Sequence, residues 1–290
     1  MSDTVQTCGR DVAQPGSAHA WGACGRWFKS TRPDHYLFTV TIILLTNDDG
    51  IQAEGLRTLE EALEDLAHLI VVAPDQERSA VSHGLTLHSP LTFKETKPSH
   101  YVVNGTPADC VIYSLRRLFV QFPDMVISGI NHGANLGDDI MYSGTVAAAR
   151  EAARHGVPAI AVSQAYIDGK PIRFKEGAKF VRDLVAAMLN NGLGGELCLN
   201  VNIPVGKIRG VRITRQGCSE NIPHFNVLDD KADYNAVPFS PGDSQKADFI
   251  SDRQAILDQY VSITPLQRDQ TDYPVAQSLM REASRLFSPK

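Results

Sequence analysis

Two aspartates stand side by side in the stretch TIILLTNDDGIQAEGL (Thr41 to Leu56), directly after an apolar run and directly before a glycine. A short apolar run that ends in polar residues reads as a buried strand feeding a loop. Asp48 and Asp49 therefore fall at the carboxyl end of a strand, where two confined carboxylates repel by about 4 kcal/mol at ~4 Å and an effective dielectric of ~20. Taken alone, the motif reads more simply as a turn at Asp49-Gly50 with Asp48 capping a helix. Other polar groups that fall at strand ends shift the balance. After LIVVA comes PDQERSAVSHG with Ser79, and after MVISGI comes Asn131, with Asn135 behind it. Two carboxylates, a hydroxyl and an amide oxygen make an all-oxygen set, which suits Mg²⁺ or Mn²⁺ rather than zinc.

The segment MYSGTVAAAREAARHG places Ser143, Gly144 and Thr145 at the start of an alanine-rich helix. Ser and Thr there are ordinary caps, and the same groups can also hold a phosphate. The helix end contributes about 0.3–1 kcal/mol toward an anion, and each hydrogen bond to a charged group about 1.5–3 kcal/mol. The two readings are evenly matched on this segment alone. His83, His88 and His132 stand nearby as conceivable proton donors, although loop histidines are most often simply solvated.

These side chains need a scaffold, and the chain supplies one. Its 290 residues are 43% hydrophobic, enough for a substantial core, and its formal net charge of −5 comes without a basic block that would suit a nucleic-acid polymer. No apolar run approaches the roughly 18 residues that a membrane span needs. The five cysteines are scattered with no C-x-x-C pair, which points to a reducing cytoplasm. From Thr41 onward, short Val/Ile/Leu runs alternate with amphipathic stretches, predicting an α/β fold with a mainly parallel sheet flanked by helices. Strands are expected at 42–45, 69–73, 101–103, 125–127, 159–162, 197–203, 211–214 and 260–263. Leu56, Leu59, Leu63 and Leu66 recur at helical spacing, as do Val111, Leu115 and Leu118. A further helix is expected over 175–189. In such a sheet, ligands bind outside the carboxyl ends of the strands.

Residues 1–39 lack an apolar period and read as an unfolded, dispensable extension. Residues 218–252 are polar and rich in Pro, Gly and Asp, which predicts long loops or a protruding arm.

Several chemistries are excluded by particular residues. In a phosphoreceiver domain the phosphoacceptor aspartate would fall at Gly129, and a haloacid-dehalogenase-type nucleophile would fall at Asn47. The phosphate-binding loop G-x-x-x-x-G-K-[ST] and the fingerprint G-x-G-x-x-G are absent. A non-catalytic nucleotide-binding module stays open beside an enzyme.

The motifs ILLTNDDGIQAEGL, VVAPDQERSAVSHGLTL, VNGTPADCV, SGINHGANLGDDIMYSGTVAAAREA, LNVNIP, GVRITRQG and YVSITPL, in that order, resemble the SurE (survival protein E) 5'-nucleotidase family from Thr41 to about Pro265. The resemblance implies a Rossmann-like domain over 40–290 with a smaller arm at about 218–252, used in homodimer or homotetramer contacts. It also implies a cytoplasmic phosphomonoesterase that hydrolyses nucleoside 5'-monophosphates, often 3'-monophosphates and sometimes short polyphosphate. One divalent ion per subunit, Mg²⁺ or Mn²⁺, falls to Asp48, Asp49, Ser79 and Asn131, and the phosphate falls to Asn135, Ser143, Gly144 and Thr145. Asp48 and Asp49 then carry catalysis, with Asp49 accepting a proton from water; no general acid for the leaving nucleoside is evident. Chains of this family open with Met one or two residues before the matching strand. Val40 stands there in this sequence, and its codon can serve as a bacterial start, so the start is expected at residue 40.

Overall fold

A computed structural model of the chain describes residues 40–167, 169–192, 195–218, 221–228, 231–238 and 249–286. The expected extension over 1–39 lies outside the described residues, as do parts of the expected arm.

The apolar runs become strands because each is short, β-branched and bounded by turn residues. β1 (Ile42–Thr46), β2 (His68–Pro74), β3 (Phe93–Lys97), β4 (His100–Val103), β5 (Met125–His132), β6 (Ala159–Gln164), β7 (Cys198–Ile203), β8 (Val211–Ile213) and β11 (Val261–Pro265) form one nine-stranded sheet in the order 3-4-2-1-5-6-7-11-8. β1, β2, β4, β5, β6 and β7 pair in parallel, while β3 runs antiparallel to β4 and β11 antiparallel to β7. The sheet is thus mainly parallel with antiparallel edges. β9 (Asn221–Leu228) and β10 (Lys231–Pro238) form a separate antiparallel ribbon within the interval expected to be an arm.

Helices cover both faces. α1 (Glu54–Leu63) and α4 (Phe174–Asn191) pack together on one side, and α2 (Pro107–Arg117) and α3 (Gly144–Arg154) on the other. The alternation of β1 assigns its side chains accordingly. Ile43 and Leu45 join Leu56, Leu59, Leu63, Val181 and Val185 in one core. Leu44 points the other way, into a second core with Val111, Leu115, Val146, Ala148 and Ala149. The small alanines let α3 lie close against the sheet. A short 3-10 helix (Gly137–Met141), α5 (Asp252–Leu257) and α6 (Tyr273–Leu286) complete the described elements. No helix among the described residues is long and apolar enough to cross a membrane.

Two features of this fold create a site. First, the strand order leaves β1 toward β2 on one side and toward β5 on the other, so the crevice at the carboxyl ends of β1 and β5 is the switch point where open α/β sheets bind ligands. Second, the pairing of β5 with β6 shifts register between Ser128 and Asn131. Such an irregularity re-aims the residues beyond it, here Asn131 and His132.

The approach of α1 to this irregular stretch depends on Gly55. A Cβ added there would lie 2.0 Å from the backbone oxygen of Ile130, and neither element can withdraw without opening the core. Gly55→Ala is therefore expected to lower stability by about 3 kcal/mol, the upper end of the usual overpacking cost. The midpoint of urea denaturation measures this, and an unchanged midpoint would show that α1 shifts freely over β5.

Candidate functional site

A cavity of about 420 Å³ opens at the switch point, lined by Asp48, Asp49, Glu77, Ser79, Asn131, His132, Asn135, Asp139, Tyr142, Ser143 and Tyr166 among others. Six of the eight residues singled out from sequence thus share one cavity wall: Asp48, Asp49, Ser79, Asn131, Asn135 and Ser143. Two do not, Gly144 and Thr145, which lie behind Asp48.

The turn after β1 is built by its own side chains. Asn47 Nδ2 donates to the Gly50 carbonyl at 2.9 Å, and the Arg78 backbone N–H donates to the Asp48 carbonyl at 2.7 Å. The second bond ties the loop after β2 to the aspartate pair. Asp48 is only 5% exposed. Its carboxylate accepts the Thr145 backbone N–H at 3.1 Å and a short bond from the Thr145 hydroxyl. Thr145 therefore spends both donors on Asp48. Gly144 is needed for the same approach, because a Cβ there would sit 2.9 Å from the Asp48 Cβ.

Burial is the larger influence on Asp48, and it raises the carboxyl's pKa despite the Thr145 bonds. Asp49 is pushed up to about 6, first by burial and then by the neighbouring Asp48 charge, against a 3.2 Å hydrogen bond from the His132 N–H. Both shifts have the sign expected of carboxylates buried beside other carboxylates. Among the described residues, the cavity lining includes no lysine or arginine.

The neutral groups are oriented as follows. Asn131 Nδ2 donates to the Gly133 carbonyl at 2.9 Å, which leaves the amide oxygen as its outward acceptor. Ser79 Oγ donates to Glu77 at 2.5 Å, and Glu77 lines the same cavity. Among the described residues no three His, Cys, Asp or Glu side chains converge in a ready-made metal cluster. The donor set here is two carboxylates, one amide oxygen and one hydroxyl, which is the all-oxygen chemistry that a hard divalent ion prefers.

Ser143 caps α3, its Oγ accepting the Val146 N–H at 3.1 Å. That bond uses an oxygen lone pair and leaves the hydroxyl hydrogen to donate into the cavity. The capping and anion-binding readings of this residue are thus compatible. Asn135 is fixed from three directions. Its N–H donates to Asn202 Oδ1 at 2.8 Å, its Nδ2 to Ser163 Oγ at 2.7 Å, and its carbonyl accepts from Asn200 and Asn202 at 2.9 and 3.1 Å.

The loop bearing Ser79 is strained. Ala80 and Ser82 take left-handed φ angles of 55° and 54°, each costing a non-glycine residue roughly 1–2 kcal/mol. Ser82 also ties this loop to the opposite wall, with its N–H on the Tyr142 carbonyl at 2.9 Å and its Oγ on the Met141 carbonyl at 2.7 Å. His132 lines the cavity. His83 instead pairs with Glu151 at 2.8 Å and lines a different cavity, and His88 is exposed.

A cation that needs Asp49 ionised must compete with a proton below about pH 6. The folded, metal-free state holds that proton up to about 6, against 3.8 for the free carboxyl. Its stability therefore falls as pH rises through that window, while the affinity for a cation rises. Titration calorimetry with Mn²⁺ should show affinity weakening up to about tenfold per pH unit below 6. A flat profile from pH 5 to 7 would mean that Asp49 is not a ligand.

The family model described as Survival protein SurE matches residues 43–222. A protein named 5'-nucleotidase SurE from Pelotomaculum thermopropionicum is 43% identical over 249 residues, spanning 82% of this chain and 94% of its own length. Another of that name, from Pelobacter propionicus, is 47% identical over 238 residues, spanning 80% of this chain and 95% of its own. The crystal structure of the SurE protein from Aquifex aeolicus aligns with a TM-score of 0.72 at 39% identity, covering 83% of this chain and 99% of that one. With the α/β architecture and these matches across most of its length, the chain belongs to the SurE family.

Proposed function

We propose that this chain is a divalent-metal-dependent 5'-nucleotidase that hydrolyses nucleoside 5'-monophosphates to nucleoside and phosphate, with 3'-monophosphates and short polyphosphate as further substrates. The observation that carries the reading is that Asp48 and Asp49 share a cavity lining with Ser79 and Asn131, an all-oxygen set, and that this lining includes no lysine or arginine among the described residues. The relatives' names supply the substrate.

Asp48 and Asp49, with the Asn131 amide oxygen and the Ser79 hydroxyl, would hold Mg²⁺ or Mn²⁺. When bound, such an ion supplies Lewis acidity and a water of lowered pKa. The chain's own groups do the rest. Thr145 holds Asp48 in one orientation through its two donors, so its role is to position a ligand rather than to touch phosphate. Ser143 donates its hydroxyl hydrogen to a phosphate oxygen, and the amino end of α3 favours the same negative charge. Asn135, braced by Asn202 and Ser163, fixes the opposite side of that group. Asp49 would accept the proton of that water, a role that coordination to the ion weakens by lowering the basicity of the carboxylate. Phosphoryl transfer needs mainly positioning and charge stabilisation, and this wall provides both.

Assembly as a homodimer or homotetramer belongs to the same proposal. It is supported by α6, whose Val275 and Leu279 are exposed four residues apart on one helix; light scattering measures it directly.

The test is a phosphate-release panel with nucleoside monophosphates and polyphosphate. Activity should vanish in excess EDTA and return with Mn²⁺ or Mg²⁺. Full turnover by protein whose metal content is shown to be nil would overturn the metal-dependent reading.

A further inference from the structure

The cavity lining combines polar and aromatic side chains. Asp48, Asp49, Ser79, Asn131, Asn135 and Ser143 belong to the first group. The aromatic side chains lining it are His132, Tyr142 and Tyr166. Tyr166 follows β6 by two residues, lines the cavity and is 47% exposed. Burial therefore does not explain a large ring here.

The ring is nevertheless held. His132 meets it edge-on, with centroids 4.8 Å apart and planes at 69°. A Cβ added to Gly133 would lie 3.5 Å from the Tyr166 ring, so the ring rests beside the same short segment that carries Asn131. The chain just before it is anchored by the Ala165 N–H on the Ile203 carbonyl at 2.9 Å. A braced aromatic ring with an open surface, next to a phosphate-sized polar wall, is the arrangement on which a nucleobase stacks. The cavity volume of about 420 Å³ falls within the ~300–1,000 Å³ of small-molecule sites, room enough for base, sugar and phosphate together.

We infer that Tyr166, braced by His132, is the stacking platform for the base of the substrate, and that it makes the site selective for phosphomonoesters carrying an aromatic base over simple sugar phosphates. This rests on the 5'-nucleotidase reading above. Tyr166 stands as a specificity residue: it binds the part of the substrate remote from the reacting phosphorus. Because every base has a π-face, the platform discriminates weakly among bases and strongly against their absence.

The experiment compares kcat/KM for adenosine 5'-monophosphate and for ribose 5-phosphate, using the full chain loaded with Mn²⁺. In the wild-type protein the nucleotide should be preferred by about tenfold or more, a ratio within the range of one base–aromatic stack. Tyr166→Ala should erase most of that preference, through KM for the nucleotide rather than kcat. Tyr166→Trp should keep it. A wild-type ratio near one, an equal loss on both substrates in Tyr166→Ala, or an unchanged ratio in that variant would overturn the platform while leaving the phosphomonoesterase reading intact. Wild-type turnover of neither substrate would overturn that reading, and the platform with it.

Discussion

Two negative charges at the mouth of a buried strand are the constraint around which this fold is arranged. Asp48 and Asp49 are adjacent in sequence, so neither can escape the other, and burial raises both of their pKa values. The surrounding chain answers with donors rather than with cationic side chains. Thr145 gives Asp48 its N–H and hydroxyl, and His132 gives Asp49 its N–H. The first of these donors belongs to the opening turn of α3, whose dipole adds to the effect. A lysine or arginine would neutralise the pair more completely, but it would also occupy the space between the carboxylates. Neutral donors on the protein side leave the cavity side of the pair open to the proposed cation.

The rest of the site depends on that choice through rigid supports. Asn135 is fastened to β7 by Asn200 and Asn202 and to β6 by Ser163, so the strands themselves set its place. Asn131 gains its direction from the register shift in β5. The loop bearing Ser79 is joined to Asp48 through Arg78 and to Tyr142 through Ser82. The left-handed residues in that loop cost folding energy, and the ties across the cavity are what offset it. Pre-organisation of this kind matters for phosphoryl transfer, because the protein's main tasks there are placement and charge.

Much of the architecture was legible because it rests on local periodicity. The leucines of α1 and the apolar runs of β1, β2, β5 and β6 state their structure in a few consecutive residues. β3 was not legible, since Phe93–Lys97 is mostly charged and lies at an exposed edge, where packing leaves no pattern. α6 was also missed: Val275 and Leu279 have helical spacing but are exposed among the described residues. In the site, strand ends brought Asp48, Asp49, Ser79 and Asn131 to one place in advance. The part played by Thr145 was not visible, because a hydroxyl at a helix start reads the same whether it faces an anion or a neighbouring aspartate. Glu77 and Tyr166 were missed for a similar reason. The asparagines of LNVNIP read as a strand, but their partner lies 65 and 67 residues away in sequence, and no local pattern announces it.

What Asp48 and Asp49 hold between them decides the chemistry of this site. Crystals soaked in Mn²⁺ and inorganic phosphate, measured at a wavelength where manganese scatters anomalously, address that point without reference to turnover. The account predicts one strong anomalous peak within about 2.0–2.6 Å of oxygens from both aspartates, with Asn131 and Ser79 completing the protein's share and phosphate beside Ser143. A peak that engages neither aspartate, or an ordered phosphate in the cavity with no metal peak at the pair, would contradict it.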